Sequence, residues 1–156
     1  MAVVTSIVCA PAAIGGSATV DGGVGAAMAL GWRFLRADGQ EIALGGGQLS
    51  EIDQILPPPD GGGDLGSVIR DPKDEPQATS HESLRCRRSA AAVKVLCDVD
   101  NPLCGEHGAA RIYGPQKGAT PEMVETLDAN LMHLAERIRN QLGQNIKDLP
   151  GAGAAG

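Results

Sequence analysis

Val93–Gly143 reads VKVLCDVDNPLCGEHGAARIYGPQKGATPEMVETLDANLMHLAERIRNQLG, and its reading decides the fold. Val93, Val95 and Cys97 alternate toward one face, which predicts a strand ending at Asp98. Two dense turn sequences follow, Asn101-Pro102-Leu103-Cys104-Gly105 and Gly114-Pro115-Gln116-Lys117-Gly118. Gly and Pro at that density fix a backbone path, and loops fixed in that way usually hold something. Between the turns, Ala109–Tyr113 is expected to form a second short strand. Thr120 is a natural N-cap and Pro121 a natural first helical residue. Val124, Leu127, Leu131, Leu134, Ile138 and Leu142 recur at helical spacing, and Gly143 supplies the stop.

Upstream, Val3–Ala10 is a β-branched run, expected to be a buried strand until Pro11 interrupts it. It leads into Gly15-Gly16-Ser17-Ala18-Thr19-Val20-Asp21-Gly22-Gly23, then the small apolar run Val24–Leu30, stopped by Gly31. That is strand, glycine loop, short helix. Phe34–Leu44 carries a hairpin signal with Asp38-Gly39 as its turn, ended by Gly45-Gly46-Gly47. The segment 57–90 is rich in Gly, Pro and charge and is expected to be a mobile surface loop. The pattern as a whole is α/β, a mixed sheet with flanking helices.

Composition narrows the function classes. The 156 residues suit one domain, and with aromatics at 2% the core must be largely aliphatic. A net charge of −6, with no basic cluster beyond Arg85-Cys86-Arg87-Arg88, argues against nucleic acid as a partner. No apolar run approaches membrane-spanning length, and Met1–Ala13 lacks the basic start of a signal peptide. Cys9, Cys86, Cys97 and Cys104 show no metal-binding spacing and read as reduced thiols. His81, His107 and His133 do not cluster, and His133 falls off the apolar stripe, where solvent is expected.

The candidate chemistry lies in the loops. Gly15–Gly23, between strand and helix, offers backbone N–H groups to an anion, with Ser17 and Thr19 as hydroxyl donors; a tight structural turn is an equal reading. It is neither a P-loop nor a dinucleotide fingerprint. Asp21 suits a helix cap or a Mg²⁺ ligand. Asp98, at the carboxyl end of a strand, suits a substrate hydroxyl, a base or a metal, or else caps its own loop. Lys117, just before a helix N-terminus, suits a phosphate or carboxylate clamp, with a solvated lysine as the alternative. Gln116 could orient a polar ligand or only its loop.

These residues resemble the bacterial type-1 glycerate kinase family. The likeness is carried, in order, by Gly15–Gly23, Ala29–Ile42 with Gly45-Gly46-Gly47, Cys97–Gly105, Gly114–Met123 and the terminal Pro150–Gly156. It implies ATP-dependent phosphorylation of D-glycerate to 2-phosphoglycerate by a cytoplasmic two-domain α/β enzyme that uses ATP and Mg²⁺. It gives Asp98 and Lys117 catalytic roles. Gly15, Gly16, Ser17, Thr19, Asp21, Asn101, Gln116 and Gly118 become substrate- or phosphate-binding positions, and no side chain is assigned to a metal. It makes residues 1–156 one partial domain, a central fragment of the family fold, expected to have little activity in isolation. A homodimer is carried as a candidate assembly. The alternatives are a non-catalytic anion- or nucleotide-binding fragment and a structural remnant.

Overall fold

A computed structural model describes residues 10–13, 17–59, 93–96 and 99–154. Strand β1 (Ala10–Ala13) runs parallel to β4 (Val93–Leu96), pairing Ala10 with Val93 and Ala13 with Leu96. Pro11 does not interrupt β1 but sits inside it, opposite Lys94. Val3–Cys9 lies outside the described residues, as does the expected surface loop beyond residue 59.

Helix α1 (Val24–Ala29) follows the glycine loop and ends as the sequence predicts, with Gly31 at φ 93°. The antiparallel pair β2 (Arg33–Leu35) and β3 (Gln54–Leu56) comes next. The Asp38-Gly39 hairpin forms, but only one bridge long, Leu35 to Glu41; β2 gives its longer ladder to β3. The glycine triplet does end the hairpin, and a 3-10 helix starts within it at Gly46–Glu51. Both senses of strand pairing are therefore present, divided between two sheets.

Ala109–Tyr113 is a helix, α2, and not the expected strand. Five residues are too few for a period to be read. Ala109 and Ala110 are fully buried, and the turn closes from Ile112 N–H to Gly108 C=O and from Gly114 N–H to Ala110 C=O. Glycine is required at both ends. A Cβ on Gly108 would sit 2.5 Å from the Cys104 backbone, and one on Gly114 would sit 2.2 Å from the Ala110 carbonyl oxygen.

Helix α3 (Pro121–Leu142) has the predicted ends: Thr120 accepts from Met123 N–H, and Gly143 is left-handed. Its buried stripe is Val124, Leu131, Leu134 and Ala135. The stripe joins Val20, Val24, Leu49, Ile52, Ile55 and Leu103 in one aliphatic core, to which Trp32 and Phe34 add the two buried aromatic rings. His133 corrects another expectation. Its Nε2 donates to the Ile52 carbonyl at 2.8 Å, so it is half-buried rather than solvated. Two turns further on, Gln141 completes β3, accepting from Ile55 N–H and donating to Asp53 C=O.

Candidate functional site

The first loop meets α1 through Asp21, a carboxylate only 8% exposed. Its Oδ1 accepts from Gly23 N–H at 3.0 Å and its Oδ2 from Gly25 N–H at 3.2 Å. Gly22 and Gly23 are left-handed, and Gly22 lies so close to α3 that a Cβ would meet Leu134 at 2.7 Å. The amides at the start of α1 are thus occupied by an internal anion. Of the two equal readings of this loop, anion site and structural turn, the helix-start end shows the features of the turn. The structure shows Asp21 as the cap of this helix start, with one oxygen on each amide.

Lys117 comes from the other end of the chain. It closes a 3-10 turn (Pro115–Lys117) ended by Gly118 at φ 89°, and it is half-buried. Its Nζ donates to Ser17 Oγ at 2.8 Å and to the Thr19 carbonyl oxygen at 2.6 Å. One ammonium therefore ties the Gly-Pro-Gln-Lys-Gly turn to the glycine loop across about a hundred residues of sequence. Burial pushes its pKa below the ordinary lysine value, while Asp21 pulls it back toward the charged form. Ser17 is half-buried, whereas Thr19, Gln116 and Gly118 are exposed beside it. Gly15, Gly16 and Asp98 lie outside the described residues.

Asn101 is held within its own loop. Its Oδ1 accepts from the Tyr113 hydroxyl at 2.8 Å, its Nδ2 donates to His107 C=O, and its carbonyl accepts from Gly153 N–H. Gly153 must be glycine, because a Cβ would lie 2.0 Å from the Pro102 carbonyl oxygen. On the far side, Asp128 accepts from Gly105 N–H at 2.8 Å, and Arg111 grips Glu125 with two bonds. The bidentate geometry holds Arg111 above its ordinary pKa and Glu125 below its own. Cys104 is a free, buried thiol, its pKa raised by burial and then by Asp128.

One positioning residue escaped the sequence reading. Asn130 is only 4% exposed and donates to Gly46 C=O at 2.7 Å and to Gly47 C=O at 3.1 Å. It pins the glycine triplet against the first loop, where a Cβ on Gly46 would lie 1.8 Å from the Val20 carbonyl oxygen. The available signal was a polar residue next to Leu131 in an apolar stripe. Among the described residues, no three His, Cys, Asp or Glu side chains gather as a metal site.

Three loops distant in sequence converge here: the first glycine loop, the triplet pinned to it, and the lysine turn latched across it. The glycerate kinase family model matches residues 5–59 and 61–156, taking in all three. The chain belongs to the glycerate kinase family. It is 45% identical over 92% of its length to the glycerate kinase of Halalkalibacterium halodurans, of which it covers 31%. It is 44% identical, with the same coverage, to the glycerate 2-kinase of Escherichia coli K12. A crystal structure described as a glycerate kinase 2 from Salmonella typhimurium LT2 superposes with a TM-score of 0.69 at 41% identity, covering 94% of this chain and 33% of that one. The chain thus spans about a third of the length of the glycerate kinases it matches, and it has their α/β fold. Among the described residues, no helix is long and apolar enough to cross a membrane.

Proposed function

We propose that this chain supplies one wall of the phosphoryl-transfer cleft of a glycerate kinase that phosphorylates D-glycerate at the expense of ATP, giving 2-phosphoglycerate. The observation that carries this is the Lys117 latch on Ser17 and Thr19. Phosphoryl transfer asks mainly for positioning and for neutralising charge on the transferred group. An ammonium held beside exposed loop backbone provides both. Lys117 turns from the Thr19 carbonyl to a phosphate oxygen, and the Ser17 hydroxyl donates beside it. Gln116 and Gly118 border the same mouth. Asn101 acts from within its loop, by holding the turn that follows Asp98 in place. Asp98 itself is assigned to a glycerate hydroxyl. Mg²⁺ would accompany ATP and screen its phosphates; the described carboxylates offer it no gathered set of ligands, and no step here is routed through it.

Residues 1–156 form one partial domain by this reading, acting inside the family-length, cytoplasmic enzyme, with a homodimer as the proposed assembly. Incubation of the chain with Mg-ATP and glycerate, with phosphoglycerate as the readout, is expected to show little or no turnover. Brisk turnover refutes the partial-domain reading. Titration with inorganic phosphate, followed through backbone amide resonances, is expected to shift Ser17–Val20 and Lys117–Gly118. No shift in either loop refutes the anion site and leaves a structural remnant.

A further inference from the structure

Helix α3 takes up the chain just after the lysine turn and carries a buried amide further along. Asn130 lies roughly 14 Å along the helix from Pro121. Its side-chain nitrogen gives one hydrogen to Gly46 C=O at 2.7 Å and one to Gly47 C=O at 3.1 Å. Only the nitrogen end of the amide can face two carbonyl oxygens. A side chain buried to this degree offers no surface to a ligand. Whatever Asn130 does at the site, it does through the glycine triplet.

We propose that Asn130 is a positioning residue for the anion site, setting through the triplet where the first loop stands relative to Lys117. Gly46 meets that loop backbone to backbone, since a Cβ there would lie 1.8 Å from the Val20 carbonyl oxygen. Gly46 has no side chain that could give way, so a shift of the triplet is passed on to Val20. Val20 is buried and adjoins Thr19, whose carbonyl accepts from the Lys117 ammonium at 2.6 Å. The path runs from Asn130 through Gly46, Val20 and Thr19 to Lys117. It begins on α3 and returns to the turn that enters α3.

Two further observations favour this role. The other end of the first loop rests on the same helix: a Cβ on Gly22 would meet Leu134 at 2.7 Å and Leu131 at 3.2 Å. Helix α3 therefore seats the loop both through Gly22, by apolar contact, and through the triplet, by directed bonds. The choice of residue also fits. A leucine would fill the space beside Leu131 without the cost of burying an amide. What the amide adds is direction, because its two bonds hold the Gly46 and Gly47 peptide planes in one orientation. The ligand whose binding Asn130 sets, a phosphate-like oxyanion, rests on the anion-site reading above.

The test is to titrate the chain and its variants with inorganic phosphate, by calorimetry and through backbone amide resonances. Asn130→Leu has nearly the shape of asparagine and no donor. Asn130→Ala is the second variant, and amide spectra report that each is folded. A folded variant is expected to bind phosphate at least about fivefold more weakly than the parent, the low end of coupling between linked sites. Its Thr19 and Val20 amides are expected to be displaced before phosphate is added. Gln141→Ala loses bonds to β3 and none to the triplet, and it is expected to bind phosphate as the parent does. Unchanged affinity in a folded Asn130 variant, or an equal loss in Gln141→Ala, overturns the role of Asn130 and leaves the anion site standing. A parent chain that binds no phosphate overturns the anion site and this role with it.

Discussion

Replacing Lys117 with methionine keeps most of the side chain's length and removes its charge and its N–H donors. In the folded chain the lost contacts include the bonds to Ser17 Oγ at 2.8 Å and Thr19 C=O at 2.6 Å. A hydrogen bond from a charged group is worth about 1.5–3 kcal/mol net. Two effects reduce that sum here. Thr19 is exposed, so water re-solvates its carbonyl. Burying the ammonium also carries a desolvation cost, seen in the lowered Lys117 pKa, which methionine relieves. The expected stability loss is therefore modest, about 1–2 kcal/mol in urea unfolding. The binding loss is larger in proportion. A charge-assisted bond to a phosphate oxygen, about 1.5–3 kcal/mol, corresponds to roughly a 10- to 100-fold weaker dissociation constant. Calorimetric titration with inorganic phosphate at neutral pH measures this, with amide spectra reporting the fold. A folded Lys117→Met chain that binds phosphate as tightly as the parent would falsify the role given to this lysine.

Phosphate affinity should also depend on pH with a definite sign. Burial lowers the Lys117 pKa, so its ammonium is lost at lower pH than that of a solvated lysine. Affinity then declines as the pH rises through that lowered pKa; titrations repeated toward alkaline pH should show the decline, and Lys117→Arg should abolish it. Gly46→Ala places a Cβ 1.8 Å from the Val20 carbonyl oxygen and 2.7 Å from Leu127. Backbone must move, at a cost of about 3 kcal/mol read from the urea midpoint. Asn130→Ala leaves the Gly46 carbonyl buried without its donor and should cost about 1–3 kcal/mol, with the largest amide shifts at Gly45–Gly47. Thr120→Ala removes only a cap and should cost about 1 kcal/mol.

What the sequence by itself determined is what a few neighbouring residues can encode. Thr120, Pro121 and Gly143 set the ends of α3, and Gly31 the end of α1, because caps and left-handed glycines act within one turn of chain. The α/β class, the Asp38-Gly39 turn and the two candidate loops were legible for the same reason, and the motif order pointed to the glycerate kinase family. Only the tertiary structure decided how those pieces meet. Ala109–Tyr113 is a helix because two alanines pack into a fully buried corner between close-packed glycines, a fact about neighbours absent from its own five residues. His133 and Asn130 find their partners more than eighty residues away, and no local pattern announces those bonds. The site follows the same division. Gly15–Gly23 and Lys117 each stood out alone, but local spacing carries no information about a contact across the core. Packing brought the ammonium onto Ser17 and Thr19 and let Asp21 occupy the helix amides, because buried donors and acceptors must be satisfied by whatever the fold places beside them.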